Sequence, residues 1–240
     1  FGAPFCFPGP KDSMSADNPI RNVSDTALWV AIYRAMESER ADSIFALRRI
    51  AVPEPIDDFF FDPEYRHLIG ANRDGNRAYV VNLNVGRDVA TIDLPGMPHL
   101  GSGISWEWNG RPVVATPHLN ANALSIIDMT EWKVIKTLTT DGPGFFLRSH
   151  ENTPYVWADV SGGKARDRMH IIDKRTLEIV KTITPEPGKL AAHVEFDRDG
   201  RHALVSIAER DGALLVLDAT TFEEVKRLPM SKPSGKYNVW

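Results

Sequence analysis

The chain has 240 residues, of which 42% are hydrophobic and 25% charged, and its formal net charge is −4. That balance is ordinary for a soluble globular protein and offers no broad surface for nucleic acid; no apolar run approaches the roughly 20 residues a membrane helix requires. The single cysteine, Cys6, excludes an internal disulfide and a C-x-x-C-H attachment site for c-type haem within this chain.

The first residues, "FGAPFCFPGPKDS", form a Pro/Gly-rich lead-in. No basic stretch followed by an apolar one precedes it, so a signal peptide is expected to be absent or already removed. One long helical signal follows. Ser24 or Asp25 can cap it, and Leu28, Ile32, Ala35, Met36, Ile44 and Phe45 recur at helical spacing, which predicts a helix over 24–46. From Met14 to about residue 50 the segment is similar to the N-terminal lead-in of class I SAM-dependent O-methyltransferases of the leucine-carboxyl-methyltransferase-like group. It contains none of their cofactor-binding core, and no glycine-rich loop follows a strand. An amphipathic helix without affinity for S-adenosylmethionine is therefore expected. Residues 1–52 read as this lead-in and helix, and residues 53–240 as a different kind of structure.

From about residue 55 the texture becomes short strands and turns, and it repeats. "LSIIDMTEWKVIKTL", "MHIIDKRTLEIVKTI" and "LLVLDATTFEEVKRL" superimpose without a gap, and Asp128, Asp173 and Asp218 fall at a constant spacing of 45 residues. A weaker copy, "AYVVNLNVGRDVATIDL", precedes them. Further strands with their own turns stand ahead of three of these hairpins, in "FDPEYRHLIGAN", "SHENTPYVWADV" and "FDRDGRHALVSI". Four short strands every 40–50 residues predict the blades of an all-β propeller, about four in number. The repeated aspartates are expected to bond the turn backbone two residues on, with no chemical role. Four blades behind an unmatched helical segment look like half of a larger ring.

Between the repeats lie segments of another character. "MPHLGSG" (97–103) sets His99 directly after proline, with Gly101 and Gly103 close behind. Proline disfavours a central strand, and glycines let backbone approach a flat partner, so this is a loop that can present one imidazole. Its plainer alternative is an inter-strand turn. His118, His150 and His193 stand near the starts of blade strands and are expected to share one face of the ring; His202, after "DRDG", is expected to face solvent.

Read together, "RHLIGANRDGN", "MPHLGSG", "PVVATPHL", "FFLRSH" and "KPSGKYNVW" occur in the order found in the d1-haem domain of cytochrome cd1 nitrite reductases and their haem d1 maturation relatives, which residues 55–240 resemble. The resemblance implies the C-terminal half of an eight-bladed propeller holding haem d1, a role in denitrification, and a periplasmic location. It implies that His99 stands over the distal face of the macrocycle, with Gly101 and Gly103 passing close to the ring. The second histidine of the reductases falls at Asp57, which would relay protons if the pair acts catalytically. Ser102 stands where the reductases carry an arginine that binds a haem carboxylate; Arg148, Arg73 or Arg66 could substitute. His193 followed by Glu-Phe resembles the maturation relatives, and with His118 and His150 completes the expected cofactor-binding set. No separate metal site is expected. The roles left open are reductase, maturation oxidoreductase, a cofactor-free scaffold for protein binding, and a truncated or chimeric chain. A second chain or a homodimer could complete the ring.

Overall fold

The computed structural model describes residues 50–234, and the helix expected at 24–46 lies outside them. Among the described residues, sixteen strands form four antiparallel sheets, each a meander in chain order. The first blade comprises β1 (Asp58–Phe61), β2 (His67–Ala71), β3 (Arg77–Asn82) and β4 (Arg87–Asp93). The second comprises β5 (Ile104–Trp108), β6 (Arg111–Pro117), β7 (Ala123–Asp128) and β8 (Lys133–Thr139). The third comprises β9 (Leu147–Ser149), β10 (Tyr155–Asp159), β11 (Met169–Asp173) and β12 (Glu178–Ile183). The fourth comprises β13 (Ala191–Phe196), β14 (His202–Ile207), β15 (Ala213–Asp218) and β16 (Glu224–Pro229).

The two middle strands of each blade carry apolar runs because both of their faces are covered. Val114 and Ile127 pack toward the first blade with Ile69 and Val80, while their neighbours Val113 and Ile126 pack toward the third with Leu147 and Val156. One residue further along β10, Trp157 joins Phe196, Val205 and Leu215 of the fourth blade. The side chains alternate with the strand period of two, so the core is a series of layers between successive blades. β9 touches β5 on one side and β13 on the other, which makes the first strands of successive blades neighbours.

The 45-residue repeat is borne out in geometry. Oδ1 of Asp128 accepts the N–H groups of Thr130 and Glu131, that of Asp173 those of Arg175 and Thr176, and that of Asp218 those of Thr220 and Thr221. Asn82 does the same in the first blade, for Asn84 and Val85. A bulge shifts the register just before each of these four residues. Each turn then closes through a positive φ, at Gly86, Trp132, Leu177 and Phe222.

A second turn motif recurs between the first two strands of the outer blades. Oδ1 of Asp62 accepts the N–H groups of Arg66 and His67 while Oδ2 takes His67 Nδ1 at 3.0 Å. Asp197 serves Arg201, His202 and His202 Nδ1 in the same way, at 2.7 Å for the last. His202 is thus half-exposed but held by its turn.

Candidate functional site

The ends of the first strands carry a set of side chains from all four blades. Asp58 opens β1. The loop before β5 forms a short turn over Leu100–Ser102 and pairs with the β6–β7 connection, through His99 N to Pro117 O and Asn120 N to Gly96 O. Phe145 and Phe146 lead into β9, and His193 sits on the bulge of β13 with φ 52°.

These residues form a row of rings. His99 and Phe145 lie 4.4 Å apart between centroids, Phe145 and Phe146 4.6 Å, and Phe146 and His193 3.9 Å. Phe145 keeps 36% of its surface exposed, so an apolar face is open within the row. At one end of the row, Asp58 Oδ2 accepts from His99 Nδ1 at 2.6 Å, and Asp58 Oδ1 accepts from Gly101 N at 2.9 Å. At the other end, Arg148 Nε donates to Glu195 Oε2 at 3.2 Å, two residues beyond His193.

Behind the row is a buried carboxylate. Asp159 Oδ1 accepts the N–H groups of Phe145 and Phe146 at 2.8 and 2.9 Å. Its Oδ2 is buried with no hydrogen-bond partner among the described residues. Burial pushes the Asp159 carboxyl up to about 6, against the opposing pull of the Phe146, Phe145 and His193 backbone N–H groups and of His99. Asp159 therefore holds the two phenylalanines in place and carries a proton over much of the acid range.

The structure separates the residues expected from the sequence. His99, Gly101 and His193 belong to the row, and Arg148 borders it. Asp57 does not face His99: its Oδ2 accepts from Arg73 N, while the adjacent Asp58 makes the pair. Successive strand residues point to opposite faces, and Asp58 shares its face with Phe60, which packs toward the second blade. Ser102 is buried and donates to Phe145 O at 2.6 Å, tying the loop to the third blade. Gly101 and Gly103 have reasons within the protein, since a Cβ on Gly101 would stand 2.7 Å from Asp58 Oδ1 and one on Gly103 2.8 Å from Leu100 O.

His118 and His150 do not join His99. The His118 ring is buried between Pro95 O and Ser125 Oγ, and burial lowers its pKa against the Pro95 bond. His150 lies beyond the other end of β9, where its Nδ1 accepts Asn152 N and its ring closes on Gly200. It borders a groove of about 760 Å³ that extends from Phe60 and Gly103 to Trp106, Trp108 and Lys174. Trp106 and Trp108 donate Nε1–H to the Lys174 and Arg175 carbonyls, so that wall is inter-blade packing. Arg66, another arginine that could meet a haem carboxylate, pairs with Glu64. No group of three or more metal-ligating side chains is present among the described residues.

The family model described as cytochrome D1 heme domain matches residues 16–240, and so runs through most of the segment likened above to a methyltransferase lead-in. Dihydro-heme d1 dehydrogenase of Pseudomonas aeruginosa is 55% identical over 194 residues, which cover 81% of this chain and 39% of that protein. Protein NirF of the same organism is 25% identical over 151 residues, covering 62% of this chain and 36% of NirF. The solved structure of dihydro-heme d1 dehydrogenase NirN in complex with DHE superimposes with a TM-score of 0.79 at 54% identity, over 82% of this chain and 43% of that one. Hydrazine synthase of Kuenenia stuttgartiensis shares the fold, with a TM-score of 0.61 at 13% identity over 80% of this chain and 54% of that one. The chain thus spans roughly two fifths of the curated relatives it matches.

Proposed function

We propose a function that proceeds from family membership: the chain belongs to the cytochrome D1 heme domain family, and it holds haem d1 or its dihydro precursor in the maturation branch of denitrification. The observation that carries this is the row His99–Phe145–Phe146–His193, assembled from three blades with one phenylalanine face open. A flat macrocycle with an apolar face and an anionic rim suits such a row. The open Phe145 ring supplies apolar contact, His99 and His193 supply nitrogen at two points, and the Arg148 guanidinium stands near for a carboxylate arm. When bound, the macrocycle supplies an iron centre and the hydrogens that a dehydrogenase removes. The chain's own residues orient it and exclude water.

Maturation is favoured over nitrite reduction by two departures from the reductase pattern. Asp57, at the position of the second reductase histidine, is bonded to Arg73 N. Ser102, at the position of the carboxylate-binding arginine, is buried against Phe145 O. The resemblance to dihydro-heme d1 dehydrogenase at 55% identity supports the same choice.

Further blades, from the same polypeptide, a second chain or a second copy, complete the ring in this proposal. Phe59 and Phe61 stack edge to face at 5.4 Å and stay 46% and 36% exposed, while β16 is exposed throughout its length. We assign residues 1–52 to the lead-in and 53–240 to the blades, and place the protein in the periplasm with its family. No helix among the described residues is long and apolar enough to cross a membrane.

The test is reconstitution of the chain, alone and with a ring-completing partner, with haem d1 and with the dihydro form. A saturable shift of the visible spectrum at one macrocycle per site is expected. Absence of any shift in every arm removes the proposal.

A further inference from the structure

We infer that Asp58 is a positioning residue for His99, holding the imidazole in the Nδ1–H tautomer so that Nε2 presents its lone pair to the site. An ionised carboxylate only accepts hydrogen bonds, so the 2.6 Å contact between Asp58 Oδ2 and His99 Nδ1 requires the proton on Nδ1. In the neutral ring Nε2 then has no hydrogen, and among the described residues nothing bonds to it. His99 therefore acts toward its ligand as a Lewis base, with a lone pair for iron or for a proton, and its N–H is used inside the protein.

The carboxylate is itself fixed from three directions. Oδ1 accepts Phe59 N and Gly101 N, both at 2.9 Å, while Oδ2 faces the imidazole. Asp58 and His99 are 20% exposed or less at the side chain, which limits competition from water. Gly101 is part of the device, because a Cβ there would meet Oδ1 at 2.7 Å and push the carboxylate off the loop. The pair comes from two blades, so the tautomer is set by the docking of the first blade on the second.

What the lone pair meets rests on the proposed macrocycle function, but the tautomer does not. Asp58→Asn is the sharp variant. The two N–H groups that converge on Oδ1 retain the amide oxygen at that end, which leaves the amide NH₂ facing Nδ1. An NH₂ only donates, so the ring must move its proton to Nε2. The experiment is ¹⁵N-histidine NMR of the full chain at a pH where His99 is neutral, followed by titration with haem d1. The wild type should show its unprotonated nitrogen at Nε2 and Asp58→Asn at Nδ1. Haem d1 should bind Asp58→Asn about 10- to 100-fold more weakly, the usual loss when a group orienting a ligating histidine is removed. Gly101→Ala should weaken binding in the same direction without altering any charge.

An Nε2–H tautomer in the wild type overturns the inference, and that measurement needs no variant to fold. Equal affinity of haem d1 for wild type and a folded Asp58→Asn also overturns it. Tautomers as expected with no haem d1 binding by either protein would leave the pair standing and remove the macrocycle function instead.

Discussion

Three histidine–aspartate pairs joined by a side-chain hydrogen bond occur among the described residues, in two regions, and they differ in what they connect. Asp62–His67 and Asp197–His202 are separated by five residues each, inside turns at equivalent places in two blades. The same carboxylates accept two backbone N–H groups there, and His67 spends its other nitrogen on Asn82 at 3.0 Å. Asp58–His99 joins residues 41 apart in different blades, beside an open phenylalanine, with Nε2 unused among the described residues. A histidine–carboxylate pair is therefore weak information by itself. Repetition inside turns at equivalent blade positions marks architecture, whereas a single pair across two blades, beside an open phenylalanine, marks a site.

The comparison breaks first, if it breaks, on the pH dependence of stability. Asp159 has its carboxyl raised to about 6 in the folded chain from 3.8. The folded state then binds more protons than the unfolded one between those values, so this group's contribution falls as pH rises through that window. The full difference is about 3 kcal/mol. Asp62 and Asp197 have the opposite sign: burial raises them, but bonds from His67 and His202 and their turns win and hold both below the usual range. Their contribution is lost as pH falls toward and below 3.8. Asp159→Asn should therefore raise stability at pH 7 and flatten its decline between pH 4 and 6 (about 4 to 6, the window in which the raised group titrates). Urea melts at several pH values measure this, and an unchanged slope would contradict the assignment of Asp159.

Histidine substitution gives the next largest effect. His99→Ala should weaken haem d1 binding by about 1.4 to 2.7 kcal/mol, equivalent to 10- to 100-fold, and should cost about 1 to 2 kcal/mol of stability because Asp58 Oδ2 loses its partner, with the blades still folded. His202→Ala should leave binding alone. Equal spectral effects from the two would reduce "MPHLGSG" to a turn. The smallest effect is expected in the turns. Asp197→Ala removes the acceptor of two backbone N–H groups and one histidine pair, and should cost about 1 to 2 kcal/mol without changing affinity for haem d1. Coupled loss of binding there would join regions that the comparison holds apart.

The blades were legible because their signals are local and periodic. Asp128, Asp173 and Asp218 could be aligned by eye, and each makes the same two turn bonds. The site was legible only in part. His99, Gly101 and His193 were reached through the order of the loops, but that order placed a second reactive group at Asp57, and the residue that pairs with His99 is the next one, Asp58. In a strand that slip reverses the face, and the packing of Phe60 toward the second blade was the available cue. Phe145 and Phe146 lie in "FFLRSH", but their place in the row comes from rings on the neighbouring blades, which the local sequence does not encode. Asp159 left no trace, because its partners are the backbone of residues 13 and 14 positions earlier. Contacts across blades depend on docking, which no local pattern encodes.

The loop that presents His99 has a mechanical consequence. Blades in a row communicate mainly with their nearest neighbours, so such arrays can fray from either end. Residues 96–103 depart from that rule: they are bonded to Asp58 of the first blade, to Pro117 and Asn120 of the second, and through Ser102 to Phe145 of the third. The loop works as a keystone spanning three units. Its amides should exchange with solvent no sooner than the blades it bridges come apart, so the His99 site keeps its shape until the assembly gives way as a unit.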